Sequence, residues 1–108
     1  MSIVLSAEKG FTADMDAEIL DRLMDVIRER KTARPEGSYT SYLFNEGQDK
    51  ILKKVGEETA EVIIASKNRD TAPLVYEMAD LVYHLMVLMA YHDLSWDDIY
   101  RELGERFK

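Results

Sequence analysis

The sequence predicts an all-α protein, an antiparallel helical bundle of four to five helices in a single domain. Three observations carry this expectation. The apolar residues of the long segments recur at helical rather than alternating spacing. Only five Gly and two Pro punctuate 108 residues. The connections between the periodic segments are short, which favours antiparallel neighbours. Only "SIVL" at Ser2–Leu5 carries a strand-like run, and no repeat, low-complexity tract or linker divides the chain.

The first helix is expected over Asp14–Lys31, capped by Thr12 or Asp14. Ile19, Leu23, Val26 and Ile27 form one apolar stripe, with Leu20 beside it and acids and arginines opposite. "TARPEGS" reads as a loop, because Arg34 precedes a proline and Gly37 follows. Ser38 or Thr40 caps a short helical turn within Ser38–Gly47, and Gly47 interrupts it. A long helix is expected next, over Gln48–Lys67. "NRD" turns the chain, and Asp70 or Thr71 caps another long helix that runs to Tyr91. Pro73 falls in its first turn, where a missing N–H costs little. In "SWDD", Ser95 stands three residues before Asp98, a capping-box spacing, so the last helix is expected over Trp96–Arg106. Residues 1–13 are left as an N-terminal extension of unassigned role, and 14–108 form the domain.

Composition narrows the function. A chain this short buries roughly 65% of the surface its unfolded form exposes, a modest core. At 46% hydrophobic and 32% charged it reads as soluble and globular. With 14 basic and 21 acidic side chains the net charge is −7, which argues against a DNA- or RNA-binding surface. An acidic protein binds an anion only where a cation or a local basic cluster inverts the field. The absence of cysteine excludes disulfides, thiolate metal sites and a Cys nucleophile. "MSIVLSAEKG" lacks the basic and long apolar regions of a signal peptide. "LVYHLMVLMA" is ten residues, about half a membrane span. No membrane association and a cytoplasmic location are therefore expected.

The carboxylates carry the chemistry. Glu58 and Glu61 lie one turn apart on one side of the Gln48–Lys67 helix, and Glu58 falls among Ile51, Val55, Val62 and Ala65. Glu61 and Lys54 flank that stripe, and Glu57 turns further away. On the following helix Glu77, Asp80, His84, Val87 and Tyr91 share one side, while most other positions are apolar. A helix apolar nearly all round is expected to be buried nearly all round, which in a small protein suggests a bundle completed by dimerisation. Charges inside such a helix are costly unless paired or bound to a metal. Folding the two helices about "NRD" leaves Glu61 and Glu77 equidistant from Arg69, and Glu58 and Asp80 likewise. A hairpin thus brings two i,i+3 acid pairs to one height. Taken singly, such acids are ordinary solvated helix residues. Two matched pairs touching apolar stripes instead call for a hard divalent cation. Oxygen ligands without Cys or His select Mg²⁺, Mn²⁺ or Ca²⁺ over Zn²⁺, and Mg²⁺ favours phosphate as its further ligand. A di-iron bundle site needs Glu-x-x-His pairs, and neither histidine stands three residues after a Glu.

"RPEGSYTSYLF", "KILKKVGEETAE" and "EMADLVYH" together resemble the phosphoribosyl-ATP pyrophosphohydrolases of histidine biosynthesis. These belong to the all-α, MazG-like nucleotide pyrophosphohydrolases, marked by EExxE followed by ExxD. The resemblance runs from Leu20 to the C-terminus. "GSYT" and "KKVGEE" narrow it to this branch, and the first dozen residues match nothing in it.

The resemblance implies Mg²⁺-dependent hydrolysis of phosphoribosyl-ATP to phosphoribosyl-AMP and pyrophosphate by a homodimer. It carries the metal set over to Glu58, Glu61, Glu77 and Asp80, with Glu57 a further ligand or a residue that orients the attacking water. On this reading Glu57 or Glu58 takes the proton of the water. Lys50, Lys53, Lys54 or Arg69 holds the leaving pyrophosphate, with Lys54 favoured by its position near Glu58 and Glu61. Ser38, Tyr39 and Thr40 hold the substrate's phosphate or ribose, and Tyr39 is placed to stack on the base. His84 stands as either a core histidine or a substrate contact. Two other functions compete: a pyrophosphohydrolase for other (d)NTPs, and a non-catalytic helical dimerisation module. The last leaves the paired acids without a purpose.

Overall fold

A computed structural model describes residues 18–107. The expectations for "SIVL", for Thr12 or Asp14 as caps, and for the first residues of the first helix lie outside them. The described residues form five helices and no strand. α1 spans Ile19–Ala33, α2 Tyr39–Glu46, α3 Gln48–Ala65, α4 Ala72–Tyr91 and α5 Trp96–Glu105.

Local signals set the ends. α1 runs two residues beyond the expected Lys31 and stops where Arg34 takes the left-handed conformation, at φ 52°, with its N–H on the Arg30 carbonyl. Pro35 follows, so the helix cannot continue there. Ser38 caps α2, its side chain accepting the Ser41 N–H at 3.2 Å. Gly47 divides α2 from α3 at φ 93° and ψ −175°, a region that is essentially glycine's alone. α3 ends at Ala65 rather than Lys67. At the next turn the Asp70 carboxylate accepts the Ala72 N–H at 3.1 Å, while Thr71 holds the cap position without a side-chain bond. Ser95 N–H donates to Asp98 Oδ2 at 2.8 Å, so Asp serves in the capping box where Glu is usual.

α4 is the centre of the bundle. α3 packs along it most extensively as an antiparallel hairpin, α1 packs on it as well, and α2 lies against α1 and α3. The core joins Met24 and Ile27 of α1, Leu43 and Phe44 of α2, Ile51 of α3, and Tyr83, Met86, Val87, Met89 and Ala90 of α4. The face of α1 is thus rotated from the expected stripe. Met24 is buried and Val26 only partly so, because α1 meets α4 along the Leu20–Met24–Ile27 line. An unbranched thioether fills such an uneven seam well.

The burial of α4 shows which of its faces a single chain covers. The side carrying Asp80, His84 and Val87 faces inward. Val75, Met78, Val82 and Leu85 are exposed, so α4 is not buried all round within this chain. The acids and the histidine point into the protein, and an apolar surface points out. By length and composition α4 is also long and apolar enough to cross a membrane, well beyond the ten-residue run read from the sequence. Here it serves as the core helix of the bundle.

Candidate active site

Three carboxylates converge where α3 and α4 pack. Glu58, Glu77 and Asp80 each bring one oxygen within 4.8 Å of the others. Glu58 is 5% exposed and Asp80 4%, while Glu77 is half-buried. Glu58 reaches this position because α3 buries Ile51, Glu58 and Ala65, which recur at intervals of seven residues on one face. The acid occupies the middle of an otherwise apolar seam. Burial pushes the Glu58 carboxyl above the ordinary carboxylate range, the Asp80 charge pushes the same way, and Lys54 opposes both. Asp80 Oδ2 is buried with no hydrogen-bond partner among the described residues. An unpaired carboxylate oxygen so enclosed is costly. A hard cation would satisfy it, and an all-oxygen donor set of this kind suits Mg²⁺ or Mn²⁺. The residues fit such an ion.

The cluster opens into a cleft of about 310 Å³ lined by Lys54, Glu57, Glu58, Glu61, Tyr76 and Glu77. Glu61 therefore stands on the cleft wall, outside the tight group of three. Lys54 Nζ lies 3.2 Å from Glu57 Oε1 and 3.7 Å from Glu58 Oε1, the one basic side chain of the cleft lining among the described residues. Tyr76 went unassigned in the sequence reading. It stands one residue before Glu77 and half-exposed at the rim. Its only sequence signal was that adjacency, which an ordinary packing tyrosine shares.

The remaining candidates lie elsewhere. Thr40 is buried and its hydroxyl is hydrogen-bonded to the Tyr83 phenol. Tyr39 Oη is 3.0 Å from His84 Nε2, and its ring stacks on Tyr42. His84 is wholly buried, with Nδ1 2.7 Å from the Asp80 carbonyl oxygen. Of the two sequence readings of His84, the core histidine is the one this position matches. Burial holds its imidazole below the ordinary histidine range, and burial likewise pushes the Tyr39 phenol up. Ser38 serves as the α2 cap. Lys50 Nζ sits 5.7 Å from the centre of the Tyr42 ring. Lys53 is exposed and Arg69 is exposed in the α3–α4 turn; neither lines the cleft. Only Lys54 among the candidate phosphate-binding cations does so.

A profile of the phosphoribosyl-ATP pyrophosphohydrolase family matches residues 20–107, all but one of the helical residues described. The chain belongs to that family. Its curated relatives agree. It is 56% identical over 91 residues to a phosphoribosyl-ATP pyrophosphatase of Pelotomaculum thermopropionicum, covering 84% of this chain and 93% of that one. It is 60% identical over 87 residues to the protein of that name from Limosilactobacillus fermentum, covering 81% and 82% of the two chains. It also resembles the histidine biosynthesis bifunctional protein HisIE of Bacillus subtilis, at 57% identity over 88 residues. There it matches 82% of this chain but 42% of the relative. Membership places the acid cluster and its cleft in a family of nucleotide pyrophosphohydrolases.

Proposed function

We propose that this chain hydrolyses phosphoribosyl-ATP between the α and β phosphates, giving phosphoribosyl-AMP and pyrophosphate in histidine biosynthesis. Glu58, Glu77 and Asp80 would hold Mg²⁺, or Mn²⁺ in its place, with Glu61 available as a further ligand from the cleft wall. The observation that carries this reading is the three-acid cluster, with Glu58 and Asp80 buried and Asp80 Oδ2 unpaired among the described residues, beside an open cleft. The family relationship supplies the substrate.

A divalent cation, when bound, neutralises charge on phosphate oxygens and lowers the pKa of a water. The chain supplies the rest. Glu57 or Glu58 accepts the proton of the attacking water, and the position of Glu57 on the cleft wall with half its side chain exposed supports Glu57 in that role. Lys54 exchanges its contacts with Glu57 and Glu58 for the phosphate chain. Tyr76, at the rim, offers a ring face to the nucleoside. Tyr39 and His84 lie behind the Asp80 turn and outside the cleft lining.

The exposed apolar residues of α3 and α4, Ile63, Ile64, Val75, Met78 and Leu85 among them, favour a homodimer. Net charge argues against nucleic acid. Inward-facing acids on α4 argue against a membrane span, and a soluble nucleotide substrate fits the cytoplasm.

The deciding experiment measures pyrophosphate release from phosphoribosyl-ATP, dCTP, dUTP and ATP with Mg²⁺. Release chiefly from phosphoribosyl-ATP is expected. Release from free dNTPs with none from phosphoribosyl-ATP overturns the substrate assignment, and no release from any overturns the catalytic reading.

A further inference from the structure

A chain of polar groups, buried at His84 and half-buried at Tyr39, runs from α2 to the Asp80 turn. Tyr39 Oη lies 3.0 Å from His84 Nε2, and His84 Nδ1 lies 2.7 Å from the main-chain oxygen of Asp80. The protons in this chain are fixed by chemistry. A carbonyl oxygen only accepts, so His84 Nδ1 carries a hydrogen and donates to Asp80. In the neutral imidazole Nε2 then accepts, and the Tyr39 hydroxyl donates to it. Side chains on a helix lean over the turn N-terminal to their own Cα. The His84 ring therefore lies against the turn that carries Asp80, and it is wholly buried there. The Tyr39 ring meets the His84 ring edge-on at 5.8 Å between centroids, which fixes the contact in orientation as well as distance.

A second link joins the same two helices nearby, between Thr40 Oγ1 and Tyr83 Oη. It ties α2 to α4 but makes no bond to Asp80. The two links separate a positioning role from simple bracing.

We propose that Tyr39 and His84 are positioning residues for Asp80: together they hold the Asp80 turn of α4 so that its buried carboxylate meets Glu58 and Glu77 in a cation-binding arrangement. This rests on the reading of the cleft as a divalent-cation site. It moves Tyr39 of the GSYT segment from gripping substrate to setting the metal-binding geometry from beneath. Hydrogen-bonded partners behind a ligating group commonly tune metal affinity by 10–100-fold, and here the partner acts through the main chain of the ligating residue.

The test is Mn²⁺ affinity of the substrate-free protein, read from the electron paramagnetic resonance of the free ion, beside thermal stability without metal. Wild type is expected to bind Mn²⁺ and Asp80→Asn to lose it. Tyr39→Phe, which deletes one hydroxyl from a half-buried ring, is expected to weaken Mn²⁺ binding about tenfold. His84→Asn keeps a donor near the Nδ1 position and is expected to bind more tightly than His84→Leu. Thr40→Val is expected to lower the melting temperature with Mn²⁺ affinity within about twofold of wild type, well short of the 10–100-fold range. If Tyr39→Phe binds Mn²⁺ as wild type does, or if Thr40→Val weakens binding as much as Tyr39→Phe, the positioning role is overturned while the cation site stands. If wild type binds no Mn²⁺, the cation site and the positioning role fall together.

Discussion

Lys54 lies beside Glu58, its Nζ 3.7 Å from Glu58 Oε1, and among the described residues it is the one basic side chain on a cleft wall otherwise made of acids and a tyrosine. The same ammonium lies 3.2 Å from Glu57. Lys54→Met removes the cation placed to meet a phosphate chain. It is expected to raise KM for the nucleotide about tenfold, about 1.4 kcal/mol, with a smaller change in kcat. Steady-state kinetics over a range of substrate at saturating Mg²⁺ provide the check. An unchanged KM removes Lys54 from the phosphate site.

Glu58→Gln keeps the shape of a nearly buried side chain and removes its charge. Glu58 meets the charge of Asp80 across the cluster in a desolvated setting. Without metal, the substitution is expected to raise the melting temperature by a few degrees, since about 1 kcal/mol is worth several degrees in a domain of this size. With Mg²⁺ the order is expected to reverse, because wild type gains binding energy that the variant lacks. Turnover is expected to fall by two or more orders of magnitude, about 3 kcal/mol or more. Thermal scans with EDTA and with Mg²⁺, beside an activity assay, test all three outcomes.

Gly47→Ala keeps the size of the site but not its backbone freedom. Open space surrounds the position where a Cβ would stand, so any cost is conformational. The φ of 93° with ψ −175° is strained for every L-residue, and a loss of about 1–3 kcal/mol is expected. Urea unfolding of the purified variant measures it. A midpoint equal to that of wild type shows that the α2–α3 junction relaxes without cost.

Lys31 fastens the far end of the bundle. Its Nζ donates to the Ala90 carbonyl at 2.8 Å and to Asp93 Oδ1 at 2.8 Å, where Asp93 itself takes φ 57°. The Lys31 hydrogen bond and charge hold the Asp93 carboxyl below the ordinary carboxylate range. A carboxyl depressed on folding contributes stability above its unfolded pKa of about 3.9, and that contribution disappears as pH falls through the lower folded value. Melting temperature is therefore expected to fall with acidification in that window, and less steeply in Lys31→Met. At neutral pH the variant is also expected to lose about 1 kcal/mol with the bond to the Ala90 carbonyl. Parallel slopes for the two proteins would detach Asp93 from Lys31.

Much of this was legible along the chain because its causes are local. Arg34 before Pro35, Ser38 before a helical turn, Gly47 between two helices and Ser95 three residues before Asp98 each act within one turn, and each marks a boundary in the structure. The equal spacing of Glu58 and Asp80 about Arg69 likewise follows from a short turn and a regular rise per residue. It correctly brought acids of α3 and α4 together. The EExxE and ExxD segments and their flanks carried the family.

The direction each helix faces was decided only by tertiary packing. A helical wheel relates side chains to one another by angle, but the core lies wherever the neighbouring helices meet that wheel. On α1 the choice of neighbour made Met24 core and Val26 marginal. On α4 it turned Asp80 and His84 inward and left Val75, Met78, Val82 and Leu85 outside. It also brought Tyr39 and Thr40 into bonds with His84 and Tyr83. The sequence by itself determined which helices form, where they stop and which acids share a height. Packing determined which of those acids are buried together, because burial depends on the contacts of the whole bundle and not on the period of any one helix.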